Sequence, residues 1–150
     1  MGRSRLKDPY NSDIQFMKFD SEVALLRRFI QIWQMEYPEV VTGWNVEYFD
    51  IQYIVTRIIR LLGEEAAKKL SPWGQIRPHS ITKFGKEQRT YNISGVSVID
   101  YMDAFKKFGY KYGPQESYKL DHIAHVVLGE KKLDYSEYGN LTQLYEQNPQ

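Results

Sequence analysis

The sequence predicts an α/β fold, strands and helices in layers, with a β-hairpin inserted between them. Two short, mostly β-branched runs (EVVTG at 39–43 and GVSVID at 95–100) each lead into a stretch with helical spacing of apolar residues. Between them, a turn-rich stretch from about 75 to 94 alternates around Lys83-Phe84-Gly85-Lys86, as hairpins do. The 150 residues are 42% hydrophobic with 12 Tyr, 7 Phe and 3 Trp, enough apolar surface to pack one domain or part of a larger one.

Residues 1–12 lack periodicity and read as a leader or tag. Ile14, Phe16 and Phe19 mark a short strand over 13–19. Asp20 or Ser21 then caps a helix through Val23, Leu26, Phe29, Ile30 and Trp33, which Pro38 stops after Tyr37. The run 39–43 is expected to be a buried strand. Ile51, Ile54, Ile58 and Leu61, flanked by Val55 and Leu62, define an amphipathic helix that ends at Gly63. The loop between, GWNVEYFD at 43–50, therefore lies at the carboxyl end of a strand, where open α/β sheets place their chemistry.

A second helical stretch covers 64–70, ahead of the hairpin. After a second candidate buried strand, 95–100, Asp100 or Asp103 is placed to cap a helix through Phe108; a loop at 109–117 precedes a helix over 119–128. The polar tail carries a weak helical stretch at 141–145. No repeat or low-complexity tract interrupts this order. Only three strands stand outside the hairpin, which favours a portion of a larger domain.

Composition narrows the chemistry. With 20 Lys+Arg against 19 Asp+Glu the net charge is +1, which argues against a broadly polybasic nucleic-acid coat. The absence of cysteine excludes disulfides, thiolate nucleophiles and cysteine-ligated zinc, and suits a reducing compartment. No run approaches the roughly 18 apolar residues of a membrane span, and the first ten residues have no apolar segment of a secretory signal. The expected location is the cytoplasm.

The loop Thr42-Gly43-Trp44-Asn45-Val46-Glu47-Tyr48-Phe49-Asp50 resembles the second exonuclease motif of family B DNA polymerases, in which Asn and an aromatic-Asp pair follow a buried strand and open a helix. FMKFDSE, GVSVIDY with MDAFKKF, and YKLDHIA followed by LGEKKL are each similar to the same region. Their order and spacing most resemble the polymerases of T4-like bacteriophages, over about nine tenths of the chain from Ile14 onward.

The resemblance implies a 3′–5′ proofreading exonuclease domain with a ribonuclease H-like fold, a mixed sheet flanked by helices. Members of the family bind two divalent metals through four carboxylates in three motifs; hard oxygen ligands suit Mg²⁺ or Mn²⁺. Asp50 matches the second motif's ligand. The first motif is Asp-x-Glu on a strand, and the lone candidate, Asp20-Ser21-Glu22, reads as a helix cap instead. The third, Tyr-x-x-x-Asp on a helix, has no counterpart in the 150 residues. Residues 13–150 thus resemble the central part of the domain with one of four ligands, and the chain alone is expected to lack exonuclease activity. Its expected partners are a single-stranded DNA 3′ end and the remainder of the polymerase, continuous or supplied by a split partner chain.

Other residues carry roles by the same resemblance. Asn45 orients the loop or contacts the terminal nucleotide. Phe49 is a candidate DNA contact, although packing beneath the site is its simpler reading, and Trp44 stays open between the two. The stretch 68–89 holds six cations and one acid, a net +5, leaving 14 cations and 18 acids, a net −4, in the remainder. In the family this hairpin separates the primer end from the template. Lys83, Lys86 and Arg89 are candidate phosphate contacts and Phe84 a candidate wedge at the tip. Lys132 would approach the scissile phosphate or the metal carboxylates, against the simpler reading of a solvated loop lysine.

Bland readings stand elsewhere: caps for Asp100 and Asp103, surface helix positions for His122 and His125, ordinary packing for Tyr110, Tyr112 and Tyr118. The alternative function is a non-catalytic module that binds single-stranded DNA or docks on a polymerase subunit; an unrelated metal hydrolase would need a carboxylate or His cluster converging on Asp50. A truncated sheet leaves strand edges open to self-association.

Overall fold

Ser21 starts the first helix: its hydroxyl accepts the N–H of Ala24 at 3.2 Å, and α1 runs Glu22–Glu36. Tyr37 closes it in the left-handed conformation at φ 34, one residue before Pro38. The structure, a computed structural model, describes residues 17–83 and 86–130, with the backbone alone at 81, 83 and 86. The expectations for the strand residues 13–16, for Phe84 and Lys132, and for the helical stretch 141–145 lie outside the described residues. Met17–Phe19, the described part of that strand, has no regular structure.

After α1 come β1 (Val40–Gly43), a π-helical turn (Glu47–Ile51), α2 (Gln52–Leu62) and α3 (Glu64–Lys68). The hairpin follows as β2 (Ile76–Lys83) and β3 (Lys86–Ile93), then β4 (Ser97–Asp100) and α4 (Tyr101–Phe108). A 3-10 turn (Tyr110–Tyr112) and α5 (Leu120–Leu128) complete the order. Among the described residues no helix is long and apolar enough to cross a membrane.

Two small sheets result. β2 and β3 pair antiparallel from Ile76 opposite Ile93 to Lys83 opposite Lys86, so two residues, 84 and 85, connect them. β1 and β4 pair parallel, from Val40 with Ser97 to Gly43 with Asp100. Neither strand of this parallel pair is the buried strand expected: exposed and half-buried residues alternate along β1, and Val40 is 51% exposed. Each has a single strand neighbour among the described residues, and the covering layers that normally bury parallel strands are not supplied by them.

The chain divides into two compact units, one through Tyr101 and one from Met102. In the first, Leu26 and Ile30 of α1, Val46 and Ile51 of the turn, Val55 and Ile58 of α2, and Ala67, Leu70, Ile93 and Val96 form the core. Each fully buried aliphatic side chain contributes roughly 1.5–3 kcal/mol. Of the stripe expected on α2, Ile51, Ile58 and the flanking Val55 are buried, Ile54 and Leu62 are half-buried against the core, and Leu61 at its edge is 36% exposed. Trp33 donates its indole N–H to the Leu70 carbonyl at 2.8 Å, and Ser71 donates its hydroxyl to the Ser94 carbonyl at 2.6 Å, fastening α1 and the hairpin base to the stretch after α3.

In the second unit Phe105 stacks on Tyr112 with centroids 5.8 Å apart and meets Tyr118 edge-on at 6.5 Å, while Ile123 of α5 is buried. These tyrosines serve packing. His122 lies 3.3 Å from the Gln115 side-chain oxygen, and His125 is exposed.

Candidate functional site

The parallel pairing of β1 and β4 fixes where the loop starts. Gly43 and Asp100 are register partners at the carboxyl ends of both strands, and Thr42 donates its hydroxyl to the Ile99 carbonyl at 2.8 Å beside them. The chain then turns sharply. A Cβ on Gly43 would stand 3.0 Å from the Val46 Cβ, so glycine allows β1 to run this close to the turn. Asn45 adopts φ 60, a left-handed conformation that Asn tolerates better than most residues.

Asp100 holds that turn. Its carboxylate accepts the backbone N–H of Asn45 at 3.0 Å and that of Glu47 at 3.4 Å, and the residue is 7% exposed. Asp100 stands directly before α4, where a cap was expected, and its carboxylate also reaches across to the loop, because the register sets it level with Gly43. The Glu47 carbonyl is held from the other side by the hydroxyl of Thr90, a residue of β3 that is 1% exposed, at 2.5 Å. Asp103, the other expected cap, pairs with Lys106 at 3.3 Å.

From this anchored peptide the π-helical turn rises, with Phe49 N–H donating to the Asn45 carbonyl at 3.1 Å and Ile51 N–H to the Val46 carbonyl at 2.9 Å. Val46 and Ile51 are buried, while Phe49 and Asp50 face solvent. Phe49, at 67% exposure, is not packed beneath the site; the turn puts its ring and the Asp50 carboxylate on the open side. The Trp44 ring lies tilted against Tyr101, centroids 6.3 Å apart. Among the described residues no group of three or more His, Cys, Asp or Glu is placed to hold a metal ion.

The hairpin borders this site through β3. Tyr48 and Gln52 line one side of an open groove of about 390 Å³, and Glu87, Gln88 and Arg89 the other. Arg89 is paired within its own strand, its Nε 3.2 Å from Glu87 Oε1. That hydrogen bond, then one from Ser80, holds the Glu87 carboxyl below its ordinary range. Lys83 and Lys86 occupy the last rung of the ladder. Lys68, also counted in the basic stretch, pairs with Glu65 at 2.6 Å. The stretch is therefore less open in charge than its composition of +5 implied.

Comparison with known proteins fits this geometry. The family model of the family B DNA polymerase exonuclease domain matches residues 4–123, a span that contains the loop, the hairpin and both parallel strands. The chain belongs to that family. It is 40% identical over 137 residues, 91% of its length, to the DNA-directed DNA polymerase of Escherichia phage RB69, and 36% identical over 135 residues, 90% of its length, to that of Enterobacteria phage T4. The DNA polymerase catalytic subunit of human herpesvirus 6B is 31% identical over 130 residues, 83% of the chain. The chain spans 15% of the length of either phage polymerase and 13% of the viral subunit.

Within the exonuclease-domain family the structure brings Asn45, Phe49 and Asp50 into one exposed turn and sets Arg89 across a groove from it. Sequence reasoning missed Asp100 and Thr90 as holders of that turn. An Asp closing one strand and a Gly closing its parallel neighbour was the available signal, but the register of the two strands was needed to read it.

Proposed function

We propose that this chain forms part of a proofreading 3′–5′ exonuclease domain of a DNA polymerase, in which Asp50 supplies one carboxylate to a pair of Mg²⁺ or Mn²⁺ ions and the hairpin contacts the single-stranded 3′ end. The observation that carries the reading is the solvent-facing Asp50 at the carboxyl end of the parallel strand pair, within the matched exonuclease span. A hard carboxylate in that place has the donor chemistry for such ions. The number of donors does not fit: two ions need several carboxylates, and the described residues gather no group of three. The remaining ligands belong to other parts of the polymerase, continuous or split, and the chain alone is expected to be inactive. The reading carries a cytoplasmic location, in the host cell where the gene is a phage's.

What the chain's own residues do is bind and orient. Asn45 and Phe49 stand beside Asp50 where a terminal nucleotide would meet them, and Lys83, Lys86 and Arg89 supply cations for phosphates, which position a strand without reading its sequence. Phe84 and Lys132 keep the wedge and phosphate roles of the motif resemblance.

Incubating the purified, nuclease-free chain with a 5′-labelled single strand and either Mg²⁺ or Mn²⁺ tests the claim of incompleteness. No shortening of the strand is expected; steady 3′ digestion would contradict it.

A further inference from the structure

Asp50 stands three residues after a peptide gripped from both sides. The Glu47 N–H donates to Asp100 at the end of β4, and the Glu47 carbonyl accepts from Thr90 in β3, while Asn45 N–H fills the second carboxylate oxygen of Asp100. Both holding side chains are buried, at 7% and 1% exposure. Withdrawing a carboxylate from water is unfavourable unless charge-assisted hydrogen bonds replace its hydration, and here they fall on two amides of the same turn. The turn's own hydrogen bonds begin at Asn45 and Val46, inside the gripped stretch, and carry its placement to Asp50.

We infer that Asp100 and Thr90 are positioning residues for Asp50: they set the Asn45–Glu47 backbone and so the place of the carboxylate beyond it, with Thr90 making the hairpin strand part of the same support. The inference rests on the proofreading reading for its catalytic consequence and on the hydrogen bonds alone for its structural one. A misplacement of about 1 Å in a catalytic group lowers turnover on the order of a hundredfold, so a loosened turn acts on kcat rather than on strand binding.

The test uses paired variants. Thr90→Val keeps the shape and removes the hydroxyl, Thr90→Ser keeps the hydroxyl, and Asp100→Asn turns one acceptor arm into a donor. In the chain itself, amide hydrogen exchange at Asn45 and Glu47 is expected to quicken in Asp100→Asn while the amides of Val55 and Ile58 stay protected, showing that the core is folded. In the polymerase carrying this segment, Thr90→Val and Asp100→Asn are expected to lower exonuclease kcat by about tenfold or more, with KM for the strand and DNA synthesis within about twofold, and Thr90→Ser to restore kcat. Unchanged kcat in both variants, beside an Asp50→Ala control that has lost hydrolysis, overturns the positioning role alone. Unchanged hydrolysis in the Asp50→Ala control overturns the proofreading reading and this inference with it. Failure of Thr90→Ser to rescue also overturns the role given to the hydroxyl.

Discussion

Arg89 and Glu87 form an ion pair along one face of the same hairpin strand, with Arg89 Nε 3.2 Å from Glu87 Oε1 and both side chains mostly exposed. A phosphate that approaches Arg89 therefore competes with a carboxylate already present. Exposed pairs of this kind are weak, about 0–1 kcal/mol, so a polyanion can displace the partner. Glu87→Gln is expected to tighten single-stranded DNA binding by the polymerase, measured by fluorescence anisotropy. Replacing Lys83, Lys86 and Arg89 together by Ala should flatten the slope of log K against log salt by about 2, since each lost phosphate contact on a single strand removes about 0.7. An unchanged slope removes the hairpin from the DNA path.

Burial separates Phe49 of the π-helical turn from Ile58 of α2. Ile58 has no exposed surface, and Phe49 is 67% exposed. Ile58→Ala is expected to destabilise the chain by about 2–5 kcal/mol, through lost transfer energy and the cavity left behind. Phe49→Ala is expected to change stability by no more than about 0.5 kcal/mol. Urea unfolding followed by circular dichroism measures both; a large loss in Phe49→Ala would return that ring to the core.

Glu22 and Arg57 join the start of α1 to α2, with Arg57 Nε 2.7 Å from Glu22 Oε1 and its Nη2 on the second carboxylate oxygen. The hydrogen bond from Arg57 holds the Glu22 carboxyl below its ordinary 4.5. A depressed carboxyl stabilises the folded chain above its unfolded value, and the contribution fades as pH falls through the lower folded value. The melting-temperature difference between the wild type and Glu22→Gln should therefore be present at neutral pH and shrink steadily below about pH 4.5. A difference that grows on acidification would contradict the pairing.

Helix ends were legible in the sequence because their signals are local. Ser21 caps α1 and Pro38 follows its end by two residues, Gly63 closes α2, and the hairpin was written in the turn residues between two alternating strands. What could not be read depended on register or on a rare turn. The π-helical turn at Glu47–Ile51 has no periodic signature of its own, so Phe49 was expected on the wrong side. Asp100 looked like any Asp before a helix until the parallel register set it opposite Gly43. The strands 39–43 and 95–100 looked buried because β-branched runs usually are, yet burial depends on covering layers that a strand's own residues do not specify.

The central claim is that Asp50 is the carboxylate through which this segment enters the exonuclease reaction. Exonuclease and polymerase rates of the polymerase carrying Asp50→Ala, measured on the same mismatched primer-template, test it most directly. Loss of 3′ hydrolysis by about a thousandfold with DNA synthesis unchanged is the expected result, a barrier increase of about 4 kcal/mol confined to one of the two activities. Hydrolysis that continues at the wild-type rate would contradict the account.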